Sequence, residues 1–389
     1  MKIGIDARCF SRGRVSGVEE YTMRILEELF SRDKKNKYVL FFNSWKKPVV
    51  DFGWTKKYPN VRLEIFRFPN KLINFLLWYF RWPKIDRFLG GVDIFFMPNM
   101  IFSAVSKKAK TLLTVHDLSF EYYPETFSIV RRMWHGFINL RAIAEEANQI
   151  VAISQSTEED LRGIYGVKKD KIKIIPSAVS DKFFQMNRND WKLIEVKEKY
   201  KLPFKFILFL GTIEPRKNIS AIVTAYNQLR EDSAEKFGEY KLVIAGVEGW
   251  KAKDIFRTIR MSKFRKDIIL TGFIEDDDKP ALYNLSSIFV YPSLFEGFGF
   301  PPLEAAKCGT PVIVSNNSSF PEIIGSGGIM IDPHKPDEIC LAMREILASR
   351  DLQENLRQKG LRQAMRFDWK QTAESFLKLI KKLETERKS

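Results

Sequence analysis

Short unbroken runs of Val, Ile, Leu and Phe alternate with longer amphipathic stretches along the whole chain. Ile3–Asp6, Tyr38–Phe42, Leu63–Phe66, Ile94–Met97, Thr111–Val115, Ile150–Ser154 and Ile172–Ile175 form a first series of such runs. Phe206–Leu210, Lys241–Ala245, Ile268–Thr271, Ile288–Tyr291, Pro311–Ser315 and Ile329–Ile331 form a second. They lack the polar alternation of a strand with one wet face and read as parallel strands buried on both sides. Strand, crossover and strand repeated this often predicts βαβ units, and two series predict two doubly wound α/β domains. The polar, charged stretch from Phe184 to Tyr200, followed by Pro203, places the join. The expected division is 1–185 and 200–368, with a helix over 369–385 crossing back onto the first domain.

Composition narrows the class. With 389 residues, 45% hydrophobic and 29% charged, the chain is globular and large enough for two cores. Its longest apolar stretch, Ile73 to Phe80, is far short of the roughly 20 residues of a membrane span. No apolar secretory segment precedes the first strand. The three cysteines (Cys9, Cys308, Cys340) are too far apart for a disulfide framework or a metal-ligand spacing. Only three histidines occur, which argues against a His-rich metal centre. A cytoplasmic location follows as the expectation. The net charge of +16 is uneven, with 17 Lys and Arg against 5 Asp and Glu over residues 31–110, a net +12. Nucleic acid, anionic lipid and phosphorylated small molecules all suit such a surface.

Candidate chemistry gathers at turns that end strands. In Tyr291-Pro292-Ser293-Leu294-Phe295-Glu296-Gly297-Phe298-Gly299-Phe300-Pro301-Pro302-Leu303-Glu304, a glycine-bearing loop runs into a proline-started helix. Its free N–H groups offer an anion or sugar-hydroxyl site. Glu296 is placed to accept bonds from sugar hydroxyls, and Glu304, expected in the first helical turn, to hold a ribose diol. Alternatively, Glu304 is a helix-start charge and Glu296 an ordinary loop residue. A second turn, Gly211-Thr212-Ile213-Glu214-Pro215-Arg216-Lys217-Asn218, sets two cations before a helix, where the macrodipole disfavours them. They suit a pyrophosphate, Arg216 as a fork and Lys217 as a point charge, or else form a solvated basic turn. A third turn, Asp6 through Arg14 and Ser16 to Gly17, lacks a Gly-x-Gly-x-x-Gly fingerprint, which weighs against a dehydrogenase. His116-Asp117 ends a buried strand, where α/β folds bind ligands, although a lone histidine is also a common structural residue.

Two further segments call for comment. Asp276-Asp277-Asp278 matches an Asp-x-Asp metal–diphosphate pattern but precedes an expected helix, so helix-start acids are the better reading. Residues 71–84 interleave aromatic and basic side chains. They form either a helix lying in an anionic membrane interface or a core helix with charged ends.

Together these turns resemble the family-four retaining glycosyltransferases of the GT-B fold, over nearly the whole chain. The resemblance is carried by Glu296 and Glu304 with Gly297, Gly299 and Cys308-Gly309-Thr310-Pro311-Val312, by Glu214-Pro215-Arg216-Lys217-Asn218, and by His116-Asp117-Leu118 with Pro124-Glu125. The start, Gly4-Ile5-Asp6-Ala7-Arg8 to Tyr21, is similar to mannosyltransferases of bacterial surface-polysaccharide and lipopolysaccharide assembly. It implies two Rossmann-like domains with an interdomain cleft, the first binding acceptor and the second a nucleotide-sugar donor, with no cofactor and no metal. Arg216, Lys217 and the Gly17 backbone would bind the donor diphosphate, and Glu304 the ribose. Glu296, with Gly297, Phe298, Gly299 and Phe300, would bind the transferred sugar, and His116 would sit beside the anomeric carbon. Gly211-Thr212 stands where many members have Gly-Arg, so one usual cation is missing. The implied activity is retaining transfer of a hexose, best mannose from GDP-mannose, to a saccharide or lipid-linked acceptor at the inner membrane face. A glucosyltransferase using UDP-glucose or a nucleotide-sugar epimerase are the alternatives within the fold. A basic nucleic-acid-binding protein is the alternative outside it, without any recognised nucleic-acid module.

Overall fold

The computed structural model describes residues 1–12, 17–45, 50–232 and 234–388. Gly13–Ser16, part of the third turn above, therefore lie outside the described residues. The chain divides into two compact units: Met1–Leu118, Val130–Ser177 and the stretch from Trp369 onward in the first, Ser119–Ile129 and Ala178–Asp368 in the second.

The first unit is built on a parallel sheet of β1 (Lys2–Asp6), β2 (Lys37–Asn43), β3 (Val61–Phe66), β4 (Ile94–Met97), β5 (Lys110–Val115), β6 (Gln149–Ala152) and β7 (Ile172–Ile174). Its order is β3-β2-β1-β4-β5-β6-β7. The second is built on β8 (Phe206–Leu210), β9 (Lys241–Ala245), β10 (Ile268–Gly272), β11 (Ile288–Tyr291), β12 (Val312–Ser315) and β13 (Gly328–Ile331), in the order β10-β9-β8-β11-β12-β13. Every strand pair is parallel. Each apolar run seen in the sequence is one of these strands. Inner strands such as β8, β11 and β12 are buried at every residue, whereas edge strand β3 is half exposed along its length. Helices covering both faces leave the inner strands no wet side, which explains their missing alternation.

The polar stretch expected to be the join is not a linker. Its helix Trp191–Lys199 packs on the helix Lys279–Leu285 inside the second unit. Asp278 is the clamp, its carboxylate meeting Lys192 at 2.8 Å, Lys199 at 2.7 Å and the Tyr200 hydroxyl at 2.8 Å. In the first unit, the helix Trp369–Lys388 packs on the helix Gly17–Arg32, with Phe376 against Phe96 and Trp369 against Tyr21. Thr372 donates to the Pro176 carbonyl at 2.9 Å.

Among the described residues, no helix is long and apolar enough to cross a membrane. The helix Asn70–Tyr79 inside the basic, aromatic segment buries Ile73 and Leu77, one turn apart. Leu72, Phe75, Trp78, Tyr79, Phe80 and Trp82 remain exposed. A core helix is thereby excluded, since only a narrow stripe meets the protein.

Candidate functional site

In the second sheet the winding reverses between β8 and β11, which are hydrogen-bonded neighbours. Because all strands run the same way, the turns leaving β8 and β11 emerge side by side at the carboxyl edge, where doubly wound folds bind ligands. Both charged turns picked out in the sequence are these two.

After β8, Pro215–Lys217 form one tight 3-10 turn and Asn218 takes a left-handed conformation before the helix Ile219–Asp232. The residue leaving β9 packs against this turn. Gly246 has φ +134°, and a Cβ there would lie 1.9 Å from the Gly211 carbonyl oxygen, so only glycine fits. After β11, Gly299 at φ +90° reverses the chain into the helix Phe300–Lys307, with Pro301 and Pro302 in its first turn. The two turns are tied directly: the Leu294 N–H donates to the Arg216 carbonyl at 2.8 Å.

Charge is concentrated where they meet. Glu296 Oε1 pairs with Lys217 Nζ, lies 3.1 Å from Arg216 Nη1, and accepts from Ser293 Oγ at 2.7 Å. Arg216 Nη1 also donates to the Phe295 carbonyl at 2.6 Å, and Nη2 meets Glu214 Oε1 at 3.0 Å. The cations face inward, with side chains 14% exposed for Arg216 and 9% for Lys217. Burial by itself would raise the Glu296 carboxyl, but the charges of Arg216 and Lys217 and the bonds from Lys217 and Ser293 outweigh it and hold the pKa at about 2. Burial, joined by the Arg216 charge, pushes the Lys217 amine below its ordinary value against the pull of Glu296 and Glu214. Burial and the Glu296 charge raise the Tyr291 phenol beneath Lys217, whose Nζ lies 5.0 Å from the ring centre.

Three expectations change. Glu304 sits in the second turn of its helix, so it is not a helix-start charge; it is buried, and its Oε2 accepts from the Tyr283 hydroxyl at 2.8 Å. Phe298 is 2% exposed and packs against Phe300 and Phe367, leaving only its backbone for a ligand. The Asp-rich run does stand at the start of the helix Lys279–Leu285, with Asp278 in the N-cap position, but instead of making a capping bond its acids hold lysines, Asp276 with Lys182 and Lys279, Asp278 with Lys192 and Lys199.

Glu214, 2% exposed, and Ser293, fully buried, were given no role in the sequence reading. Glu214 was legible in principle, as a carboxylate two residues ahead of a cation pair. Ser293 was not, because what gives it meaning is the partner it meets after folding.

In the first unit, His116 follows β5. Its Nε2 lies 2.8 Å from the Pro98 carbonyl oxygen, and its ring meets the Tyr21 ring edge-on, 4.8 Å between centres. A carbonyl only accepts, so Nε2 carries the proton and Nδ1 is left as an acceptor. Burial lowers its pKa, with the Pro98 bond opposing, so the ring is neutral at pH 7. Gly17 is the first residue of the helix Gly17–Arg32. Arg8 pairs with Asp6 at 2.5 Å at the end of β1, both buried.

Residues 15–183 match the family described as Glycosyltransferase Family 4, and residues 192–363 match Glycosyl transferases group 1. O-antigen chain mannosyltransferase B of Escherichia coli is 30% identical over 280 residues, covering 71% of this chain and 69% of that protein. The chain belongs to the family-four glycosyltransferases. The glycosyltransferase is also 36% identical over 279 residues to the serotype-specific mannosyltransferase WbdA of Escherichia coli, covering 70% of this chain. It spans about a third of the length of that relative, of which 34% is covered. Among solved structures, Anabaena HepE in complex with UDP-glucose superposes with a TM-score of 0.70 at 16% identity, covering 98% of the glycosyltransferase and 100% of HepE. The two parallel-sheet units are those of the GT-B fold.

Proposed function

We propose that the protein is a metal-independent, retaining hexosyltransferase that moves mannose from GDP-mannose to a hydroxyl of a saccharide or lipid-linked acceptor in cell-surface polysaccharide synthesis. The observation that carries this reading is the meeting of Arg216, Lys217 and Glu296 at the winding reversal of the second sheet. A buried lysine, a largely covered arginine and a carboxylate that can accept from sugar hydroxyls, side by side, match what a sugar linked to a diphosphate presents.

In this mechanism the C1–O bond to the β-phosphate breaks, the acceptor oxygen bonds C1 on the same face, and its proton passes to the leaving phosphate oxygen. Arg216 and Lys217 take up the charge that grows on the diphosphate. Glu296 accepts bonds from the sugar hydroxyls, Glu304 holds the ribose, and the Gly17 N–H and the backbone of 297–300 contact the donor. His116, neutral and with Nδ1 open as an acceptor, bonds a sugar hydroxyl rather than supplying positive charge. The acceptor is held at the inner membrane face, with the basic, aromatic segment 71–84 as the contact, in a cytoplasmic enzyme.

The test is incubation with labelled GDP-mannose and, in parallel, UDP-glucose, with chelator present, and NMR of the product linkage. Mannose transfer with the donor's anomeric configuration kept is the expected result. Transfer only from UDP-glucose, inversion at C1, or loss of activity on chelation would each overturn the corresponding part. Release of an epimerised nucleotide sugar without transfer would overturn the whole.

A further inference from the structure

The exposed aromatic helix of the first unit has a neighbour that the sequence did not flag. The helix Ile129–Ile138 buries only Ile138. Val130 (76% exposed), Met133 (54%) and Phe137 (47%) recur three and four residues apart, so they line one face. Phe137 meets Trp78 of the helix Asn70–Tyr79, ring centres 5.1 Å apart. Arg81, just past that helix, pairs with Glu146 at the end of the following helix Leu140–Glu146. Two segments some 50 residues apart in sequence thus share one uncovered apolar surface, rimmed by Phe75 and Tyr79, which stack on one another.

Apart from Glu146, which Arg81 engages, the charged side chains these two stretches contribute are all basic. Residues 67–84 contain Arg67, Lys71, Arg81 and Lys84, residues 129–138 contain Arg131 and Arg132, and neither stretch contains an acid. The nearest following acid in the first stretch, Asp86, is buried and engaged by Ser106. A protein partner would ordinarily offer a mixed surface, and a second copy of this chain would bring like charge against like charge. An anionic bilayer interface satisfies both halves: Trp and Tyr settle at headgroup depth, aliphatic tips enter the acyl boundary, and Lys and Arg meet lipid phosphates.

We infer that the helices 70–79 and 129–138 together form a two-helix platform that lies in the plane of an anionic membrane surface. The inference deepens the membrane contact proposed above for 71–84, extending it to a second helix and fixing which side chains enter.

The test uses the full chain and sedimentation with vesicles of phosphatidylcholine containing phosphatidylglycerol, against vesicles of phosphatidylcholine alone. The expected result is binding to the anionic vesicles that weakens as salt rises, with little binding to neutral ones. Phe75→Glu with Trp78→Glu, and separately Val130→Glu with Met133→Glu, should each lower vesicle affinity by about tenfold or more. All four positions are exposed, and unchanged thermal melting and mannose transfer to a water-soluble acceptor show that the variants fold. If only the first pair matters, the second helix is not part of the platform and the inference falls. Equal binding to both vesicles, no binding to either, or a doubled mass in light scattering that the same variants abolish would also overturn it. Vesicle binding without any sugar transfer would overturn the proposed function and leave the platform standing.

Discussion

The two sheets share a winding and a reversal point but differ in what they place at the carboxyl edge. In the second, Glu214, Arg216, Lys217 and Glu296 form one inward-facing network spanning two turns. In the first, the corresponding edge carries an Asp6–Arg8 pair that also reaches the Phe102 carbonyl, and a neutral histidine bonded to a main-chain carbonyl and followed by Asp117. Under the proposed function, two opposite demands explain the contrast. Stabilising a leaving diphosphate needs fixed cations kept from water, so the Coulomb attraction is not screened. Accepting a hydroxylated sugar needs shape and hydrogen-bond acceptors, which an edge without an unopposed cation cluster supplies. The positive excess of the first unit goes instead to its surface, beside exposed aromatics.

The sharpest way to break this contrast is to remove charge from each edge in turn. Arg216→Ala, Lys217→Ala or Glu296→Ala is expected to lower turnover at saturating donor by about 100-fold or more, the usual cost of one lost charge-stabilising group. Near-normal turnover of Glu296→Ala would remove the second edge from the chemistry. Backbone tightness comes next. Gly246→Ala drives a Cβ into the Gly211 carbonyl, whereas at Gly4 in the first sheet the nearest atoms are side-chain carbons of Phe95, Leu89 and Val92 at 2.9–3.1 Å rather than backbone. Gly246→Ala should destabilise by about 3 kcal/mol and Gly4→Ala by about 1, read as midpoints in urea; equal midpoints would show that the second edge is no more rigid. A smaller effect is expected at His116→Ala, about tenfold in turnover, one hydrogen bond to a neutral partner. A loss there matching that of Lys217 would mean that charge is handled at both edges.

The smallest effect is on acid stability. Glu296 titrates at about 2 in the fold against an ordinary 4.5, and Asp278 at about 2 against 3.8, each because neighbouring cations outweigh burial. A depressed carboxyl contributes stability that is complete above its unfolded pKa and is lost as pH falls through its folded one. The second unit should therefore weaken between pH 4.5 and 2, and Asp278→Asn should flatten the lower part of that decline in urea titrations. An unchanged slope would show that the lysine clamp contributes nothing.

All thirteen strands were legible because strands buried on both faces leave unbroken apolar runs, which few other elements produce. The two charged turns were legible for a related reason, since glycine, proline and paired cations at strand ends have few structural uses. What could not be read were relations across distance. Ser293 gains its role from Glu296 and from the Arg216 main chain 77 residues away. Asp278 looked like a helix cap because its lysines come from a helix about 80 residues upstream, itself mistaken for a linker. The outer face of the helix 129–138 was invisible because an amphipathic crossover helix ordinarily buries its apolar side, and sequence pattern records the side without recording what covers it.

The closing helix of the first unit has a bearing on how the molecule is made. Phe96 in β4 is 2% exposed, with its ring against Phe376 from the helix Trp369–Lys388. During synthesis the seven strands of the first unit leave the ribosome long before that helix does, and the whole run from Ala178 to Asp368 must be translated in between. The core of the first unit is thus sealed only after the second has been translated, and Phe96 has no cover from Phe376 until that helix has emerged.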